Sequence, residues 1–246
     1  MWKRALPVVL GILLLCAVGT ANAQGDLSKE SLADYKTKEH LTRKNAIALK
    51  IGPHIYSGSN YLNYWEKKPT DLSVLTFEVG YERNIVSFLG VELAGGYFHT
   101  KMKKTSTIYL GDHVKSDIST YYFSPSLKGT FNLTTHLAIY GGVGPDLFIA
   151  EAKQKYSSNA TLNVTAKEQK IIPGAHALAG VEYYIFLHPA EHGFFDAPTG
   201  VFVEYKYTYA NWKDLDKDVM KKVGSNSKHD FNLGGHFIFM GLRFHF

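Results

Sequence analysis

The chain has 246 residues, a formal net charge of +5, 45% hydrophobic and 14% aromatic residues, and a single cysteine. This length suits one all-β domain, and one cysteine excludes a disulfide framework. Past the amino terminus no apolar run reaches the ~18 residues of a membrane-spanning helix, and the mild charge falls in loop-like stretches, which does not suit nucleic acid.

The chain begins MWKRALPVVLGILLLCAVGTANAQ. Lys3 and Arg4 precede an apolar stretch from Leu6 to Val18, and Ala21-Asn22-Ala23 is a small-x-small cleavage site, so residues 1–23 are expected to be a signal peptide. Cys16 follows Leu15, where a lipoprotein site needs a small residue, so it belongs to that segment. Residues 24–45 carry Asp26, Lys29, Glu30, Lys36, Lys38, Glu39, Arg43 and Lys44 and read as a periplasmic segment, partly helical or without structure. Residues 46–246 form the remaining domain.

From Ala46 onward the dominant signal is alternation of apolar and mixed residues, the period of a strand. The first strand runs Ala46 to Tyr56, with Ile47, Leu49, Ile51 and Ile55 on one face and Pro53 near its end, where a missing donor is tolerated. The second runs Leu72 to Asn84, with Leu75, Phe77, Val79 and Tyr81 aligned, and the third Phe88 to Lys101, with Leu89, Val91, Leu93 and Tyr97. After a loop over 101–117 the fourth runs Ile118 to Phe131, with Tyr121, Phe123 and Leu127, and the fifth Leu137 to Ala150, with Ile139, Val143, Leu147 and Ile149. A loop over 151–170 leads to the sixth, Ile171 to Phe186, then the seventh, Gly200 to Ala210, with Val201, Val203, Tyr205, Tyr207 and Tyr209. The eighth is Phe231 to Phe246, in which Ile238, Met240, Leu242, Phe244 and Phe246 share a face. Short and long connections alternate, as in a transmembrane barrel with short periplasmic turns and long outer loops. A last strand with a full apolar face needs a partner on both sides, so it is expected to pair with the first. The expected fold is an all-β, eight-stranded, antiparallel, up-and-down transmembrane β-barrel.

The two faces differ in charge. The apolar face carries none away from strand ends, whereas the other holds Lys50, Glu78, Glu82, Glu92, Lys128, Asp146, Glu182, Glu204, Lys206 and Arg243. A Lys or Arg facing lipid at mid-membrane costs about 2–4 kcal/mol, so these residues are assigned to the lumen. Eight strands leave a lumen that side chains can fill, and the expected arrangement is an internal plug of ion pairs. Tyr56, Tyr81, Tyr97, Tyr121, Tyr183, Tyr209 and Phe246 fall near strand ends, as an interfacial girdle requires.

Candidate chemistry is thin. His188-Pro189-Ala190-Glu191-His192 matches an inverted zinc-protease motif, but in a turn with no helix to put both histidines on one face. No His-x-Ser pair occurs, and no activated serine can be assembled from the sequence. No catalytic residue, metal or cofactor is expected. Asn159-Ala160-Thr161 and Asn163-Val164-Thr165 read as ordinary loop residues. Lys101, Lys103, Lys104, Lys153, Lys155, Lys213, Lys221 and Lys222 fall in long loops, where they can meet lipopolysaccharide phosphates or host polyanions.

Four stretches, Gly141-Gly142-Val143-Gly144, Ala179-Gly180-Val181-Glu182-Tyr183, Val203-Glu204-Tyr205-Lys206-Tyr207 and Gly241-Leu242-Arg243-Phe244-His245-Phe246, give the chain a likeness. It resembles the small outer-membrane β-barrels of Gram-negative bacteria, the OmpA-transmembrane-like and opacity-type porin family. The resemblance implies outer-membrane residence, contact with lipid and lipopolysaccharide, and recognition of the last strand by the barrel-assembly machinery, with Phe244 and Phe246 as key positions. It does not imply one activity, since the family includes adhesins, structural proteins and weak pores. No segment resembling a peptidoglycan-binding domain follows, so no cell-wall tether is expected. The expected function is non-enzymatic, in envelope structure or in surface interaction through the outer loops. A narrow channel for small solutes, as in OmpW-like barrels, is the alternative, and lipid A modification a further one.

Overall fold

The structure is a computed structural model that describes residues 44–58, 73–105, 113–134, 136–157, 163–185, 199–215 and 229–246. Its elements are all strands: β1 (Asn45–Tyr56), β2 (Val74–Val86), β3 (Leu89–Thr105), β4 (His113–Asn132), β5 (Leu137–Ser157), β6 (Asn163–Ile185), β7 (Thr199–Tyr209), β8 (Asn211–Trp212), β9 (Phe231–Asn232) and β10 (Gly235–His245). Eight of them close into one barrel in the order β1-β10-β7-β6-β5-β4-β3-β2, every pairing antiparallel. The remaining two, β8 and β9, pair only with each other, beyond the rim.

The seam is β1 against β10. It runs from Ala46 opposite His245 to Tyr56 opposite Gly235. At its end Asn45 and Phe246 exchange backbone hydrogen bonds of 3.1 and 2.8 Å. Register partners from Asn45 pass through Arg83, Val91, Leu127, Val143, Ala177, Tyr207 and His236 and return to β1 at Ile55, ten residues further on. Such a stagger tilts strands by roughly 40° and leaves an interior that side chains alone can fill.

Outward and inward positions differ as the alternation requires. Leu49, Phe77, Phe123, Leu127, Val143, Val181, Val203, Ile238, Met240 and Leu242 stand on the outer surface. Between the two rims the outward positions of the described residues carry no Asp, Glu, Lys or Arg. The outward His236 meets the Tyr205 hydroxyl with its Nδ1 at 2.6 Å. Proline falls on this outer face too. The β1–β10 ladder skips Gly52 and Pro53, and the β4–β5 ladder skips positions 124–126 around Pro125, because proline has no N–H to give.

Several boundaries and faces depart from the sequence-based expectation. The stretches 101–117 and 151–170, read as loops, are largely strand: β3 continues to Thr105, β4 starts at His113, β5 continues to Ser157 and β6 starts at Asn163. Alternation persists there, with Met102, Ser116, Ile118, Ala150, Ala152 and Gln154 buried and lysines on the outward side. An apolar outer face is needed only inside lipid, so its loss marks the membrane boundary and not the end of the strand. Asn163 and Thr165 are accordingly strand residues. The eighth expected strand, Phe231 to Phe246, is broken: β9 leaves the barrel, and the chain re-enters at Gly235, whose φ of +151° and close approach to the Ile55 carbonyl both require glycine.

One of the expected girdle aromatics lies inside the barrel. Tyr56 shares the parity of Lys50 and His54 and lies wholly inside, its hydroxyl on Thr100. Tyr81 keeps the outward parity of Phe77 and Val79, opposite Ile47 and Leu93, and is covered at the lower rim, where it donates to Asn45 at 2.8 Å. Tyr121, Tyr183 and Tyr209 are exposed on the outer face. The signal peptide, nearly all of segment 24–45, the His188–His192 motif, Asn159–Thr161, Lys221 and Lys222 lie outside the described residues.

Leu127, near the middle of the outer face, tests the lipid assignment. Leu127→Arg should lower the stability of the barrel in lipid vesicles by about 2–4 kcal/mol, read from urea unfolding by tryptophan fluorescence. An unchanged midpoint would mean that this face does not meet lipid.

Candidate functional site

Lys50, Glu78, Glu82, Glu92, Lys128, Asp146, Glu182, Glu204, Lys206 and Arg243 are all buried, and among the described residues they are the only buried Asp, Glu, Lys or Arg side chains. The structure brings them into one chain of contacts along the lumen. Lys50 Nζ lies 2.8 Å from Glu78, 2.6 Å from Glu92 and 2.8 Å from Glu204. Lys206 donates to Glu78 at 2.9 Å and to Ser124 at 3.0 Å. Lys128 donates to Glu82 at 2.6 Å and to Glu92 at 3.2 Å. Arg243 lies 3.6 Å from Glu82 and donates to Glu182, which also receives His245 Nε2 at 2.8 Å. Each cation thus touches at least two polar partners, as burial of a charge requires.

Two tyrosines complete the cage, and glycines make room for them. A side chain at Gly180 would strike the Tyr140 ring, and one at Gly96 would strike Tyr122. With both positions bare, each ring lies flat across the neighbouring strand. Lys128 sits 3.9 Å above the Tyr140 ring centre, and the Arg243 guanidinium lies between Tyr140 at 4.8 Å and Phe202 at 4.6 Å. Such contacts favour a desolvated cation. Tyr122 donates to Glu78 at 2.8 Å.

The ten residues found by alternation have further partners that the sequence did not reveal. Asp146 accepts from Ser124 and lies 2.9 Å from His176 Nδ1, and Ser126 Oγ lies 2.8 Å from His176 Nε2. With the carboxylate accepting, Nδ1 carries the proton, and Ser126 Oγ is the hydrogen-bond partner of Nε2. This is the connectivity of a Ser–His–Asp array. Its members sit on β4, β5 and β6 at positions that only register brings together, so no sequence spacing announces it. Ser126 and His176 are 4% and 5% exposed, which leaves an acyl group no room at Oγ. Among the described residues no three His, Cys, Asp or Glu side chains converge to hold a metal ion.

Towards the long-loop end the filling changes from charge to aromatic. His54 stacks on Phe237 with 4.0 Å between ring centres and 2° between planes, and lies 4.3 Å from Tyr56 and 4.6 Å from Phe98. Tyr122, Phe148 and Phe239 extend this layer, which is buried beneath Trp212, Leu215, Phe231 and Leu233. Trp212 Nε1 donates to Glu168 at 3.4 Å.

A closed eight-stranded wall, apolar without and ionic within, defines a membrane-spanning barrel of the small outer-membrane type. No helix among the described residues is long and apolar enough to cross a membrane, and the crossing is made by strands. No protein-family model matches the chain, and no curated protein does. Among solved structures the chain is similar to Ail, the attachment invasion locus protein of Yersinia pestis in complex with the heparin analogue sucrose octasulfate, at 12% identity over 83% of this chain and 99% of that one, with a TM-score of 0.40. Neisserial surface protein A is 15% identical over 82% and 95% of the two chains, TM-score 0.40. The outer-membrane protein OprG from Pseudomonas aeruginosa is 13% identical over 83% and 97%, TM-score 0.49.

Of the barrel-end residues, Ile238, Met240 and Leu242 face outward and are 43%, 61% and 43% exposed; Phe244 and Phe246 are half-exposed at the short-turn end.

Lys50 is the centre of the ionic chain: removing it takes from Glu204 the cation described for it and leaves Glu78 and Glu92 with one cation each, Lys206 and Lys128. Lys50→Met should destabilise the folded barrel by about 3–5 kcal/mol, the usual cost of breaking a buried pair. Adding Glu92→Gln and Glu204→Gln should restore part of that loss in the same urea titration. Wild-type stability for the single variant would show that the chain does not hold the wall.

Proposed function

We propose that the protein is an outer-membrane resident whose sealed, non-enzymatic barrel contributes to envelope structure and presents its long-loop end for interaction at the cell surface. One observation carries this reading: the lumen is occupied along its length, by the ionic chain towards the short turns and by stacked rings towards the long loops. A structural wall needs such a filling, and a conduit does not.

In this reading residues 1–23 direct export and 24–45 lie in the periplasm with the short turns. The barrel-assembly machinery reads Ile238, Met240, Leu242, Phe244 and Phe246 on the last strand. Lipid and lipopolysaccharide surround the wall, and the long loops meet host or surface ligands. The polar half of the lumen favours a narrow solute channel, but the layer of His54, Phe98, Phe237 and Phe148 stands across that path. Modification of lipid A has less support, because Ser126 and His176 point into the lumen, away from lipid.

Outer-membrane fractions should show a band that shifts on boiling in detergent, because a closed barrel resists cold detergent. The purified barrel, inserted into planar bilayers, should give no discrete conductance steps. Steps from verified insertions would replace this reading with the channel.

A further inference from the structure

The buried charges of the lumen do not balance. Glu78, Glu82, Glu92, Asp146, Glu182 and Glu204 supply six carboxylates, and Lys50, Lys128, Lys206 and Arg243 supply four permanent cations. Among the described residues the lumen therefore holds an excess of two negative charges. A charge without compensation is costly in a dry interior, and such groups are paired or neutralised instead.

Three histidines are buried with these charges, His54, His176 and His245. Two of them touch a carboxylate. His176 Nδ1 lies 2.9 Å from Asp146, and His245 Nε2 lies 2.8 Å from Glu182. His54 is held among the rings of Tyr56, Phe98 and Phe237. Two histidines on carboxylates thus match an excess of two.

The surroundings of each ring suit a second proton. His176 on β6 meets Asp146 of β5 and Ser126 of β4. A protonated Nε2 donates to Ser126 Oγ, since a hydroxyl accepts as readily as it donates. On β7 its register partner is Thr208, and Lys206 beside it is taken up by Glu78 of β2 and by Ser124. His176 is therefore the one charged partner described for Asp146. His245 on β10 lies opposite Ala46 of β1, which brings no charge. From β6 it meets Glu182 and the Tyr184 ring, 5.3 Å between centres. Arg243 on its own strand reaches Glu182 and Glu82 of β2, and Lys128 of β4 also holds Glu82.

We propose that the closed barrel holds two protons, one on His176 and one on His245, which form a pH-dependent lock on the lumen. This rests on the reading of a filled, structural barrel and deepens it by naming what regulates the filling. Each half of the ionic chain is then neutral. Glu78, Glu204 and Asp146 are matched by Lys50, Lys206 and His176. Glu82, Glu92 and Glu182 are matched by Lys128, Arg243 and His245. The two protons differ in access. The His245 side chain is 9% exposed at the short-turn rim, whereas that of His176 is fully enclosed. Alkaline solution reaches the first directly and the second only when the filling parts. A doubly protonated His176 also has no lone pair to take a proton from Ser126, so the Ser–His–Asp array is a structural one.

An ordinary histidine titrates near pH 6.5, so an unfolded chain has released both protons by about pH 7.5. The stability that the protons give is thus present at acid and neutral pH and is lost as the solution turns alkaline. Between about pH 7.5 and 8.5 carboxylates stay charged and lysines protonated whether the chain is folded or not, so this window isolates the histidines.

The test is urea unfolding of the purified barrel in lipid vesicles at pH 7.5 and 8.5. The unfolding constant should rise about a hundredfold across that step, about tenfold for each proton held. His245→Lys keeps the charge but takes its titration out of the window, so the rise should drop to about tenfold. The neutral pair Asp146→Asn with His176→Gln should do the same, and all three changes together should leave the constant flat. A rise of about tenfold or less in the wild type, or an unaltered rise in the variants, would overturn the proposal. If the variants do not fold, assigned nitrogen-15 spectra of the wild-type histidine rings at pH 7.5 decide. Both ring nitrogens of His176 and of His245 should carry hydrogen, and a bare nitrogen on either ring overturns the lock. Bilayer recordings at pH 7.5 test the filled lumen separately. Conductance steps would end that reading, whereas a silent bilayer with a flat pH profile would end this inference alone.

Discussion

In lipid a backbone N–H or C=O has no partner except another strand, and each group left unpaired costs several kcal/mol. The seam between β1 and β10 answers that constraint, and much else follows from it. Closure with eight strands and a stagger of ten gives a narrow lumen. A narrow lumen holds too little water to solvate Lys50, Glu78 or Arg243, so each charge must find protein partners. Once they are paired, the interior is full. The filling of the lumen is thus a consequence of its strand number together with the charges it encloses.

The outer face alone cannot set the pairing. Sliding one strand past another by two residues returns apolar side chains to lipid and polar ones to the lumen. The inner contacts are less forgiving. Lys50 on β1 meets carboxylates of β2, β3 and β7. Arg243 on β10 meets Glu182 of β6 and Glu82 of β2, and His176 on β6 joins Ser126 of β4 to Asp146 of β5. Each barrel strand therefore contributes to a polar contact with a strand elsewhere in the wall. Gly96 under Tyr122 and Gly180 under Tyr140 add steric pins. A two-residue slip would leave several buried charges unpaired, at a cost far above that of moving one apolar side chain within lipid. Buried ion pairs contribute modest net stability, and their larger effect here is to discriminate one register from its neighbours.

The sequence was most informative where one physical requirement governed each position. Alternation placed Leu49, Phe77 and Val143 outside and Lys50, Glu78 and Glu204 inside, because lipid admits no charge on its side. It was least informative where two requirements overlapped or where none was local. Tyr56 looked like an interface aromatic by its place near a strand end, yet its parity with Lys50 and His54 puts it in the lumen. The outer ends of β3 to β6 resemble loops because their outward face loses its apolar residues, while the alternation continues on the inner face, in Met102, Ile118, Ala150 and Ala152. The Ser126–His176–Asp146 array was out of reach, since residues on three strands meet only once register is known.

The two faces also respond differently to height above the membrane. Outside, composition changes sharply: Tyr97 and Tyr121 are followed by His99 and Ser119, joined by a 3.0 Å hydrogen bond, and then by lysines. Inside, the change comes lower down, where the ionic chain ends at Asp146 and Lys206 and the rings of Phe148, Phe237 and His54 begin. The outer change follows the solvent, from hydrocarbon to headgroup to water. The inner change follows access, because the long-loop end faces the medium and stacked rings exclude water from the charges below. An ion pair open to solvent is worth little, whereas one kept dry discriminates strongly between right and wrong partners. The aromatic layer therefore acts on the ionic chain without donating to it, by keeping the lumen dry enough for the chain to specify the wall.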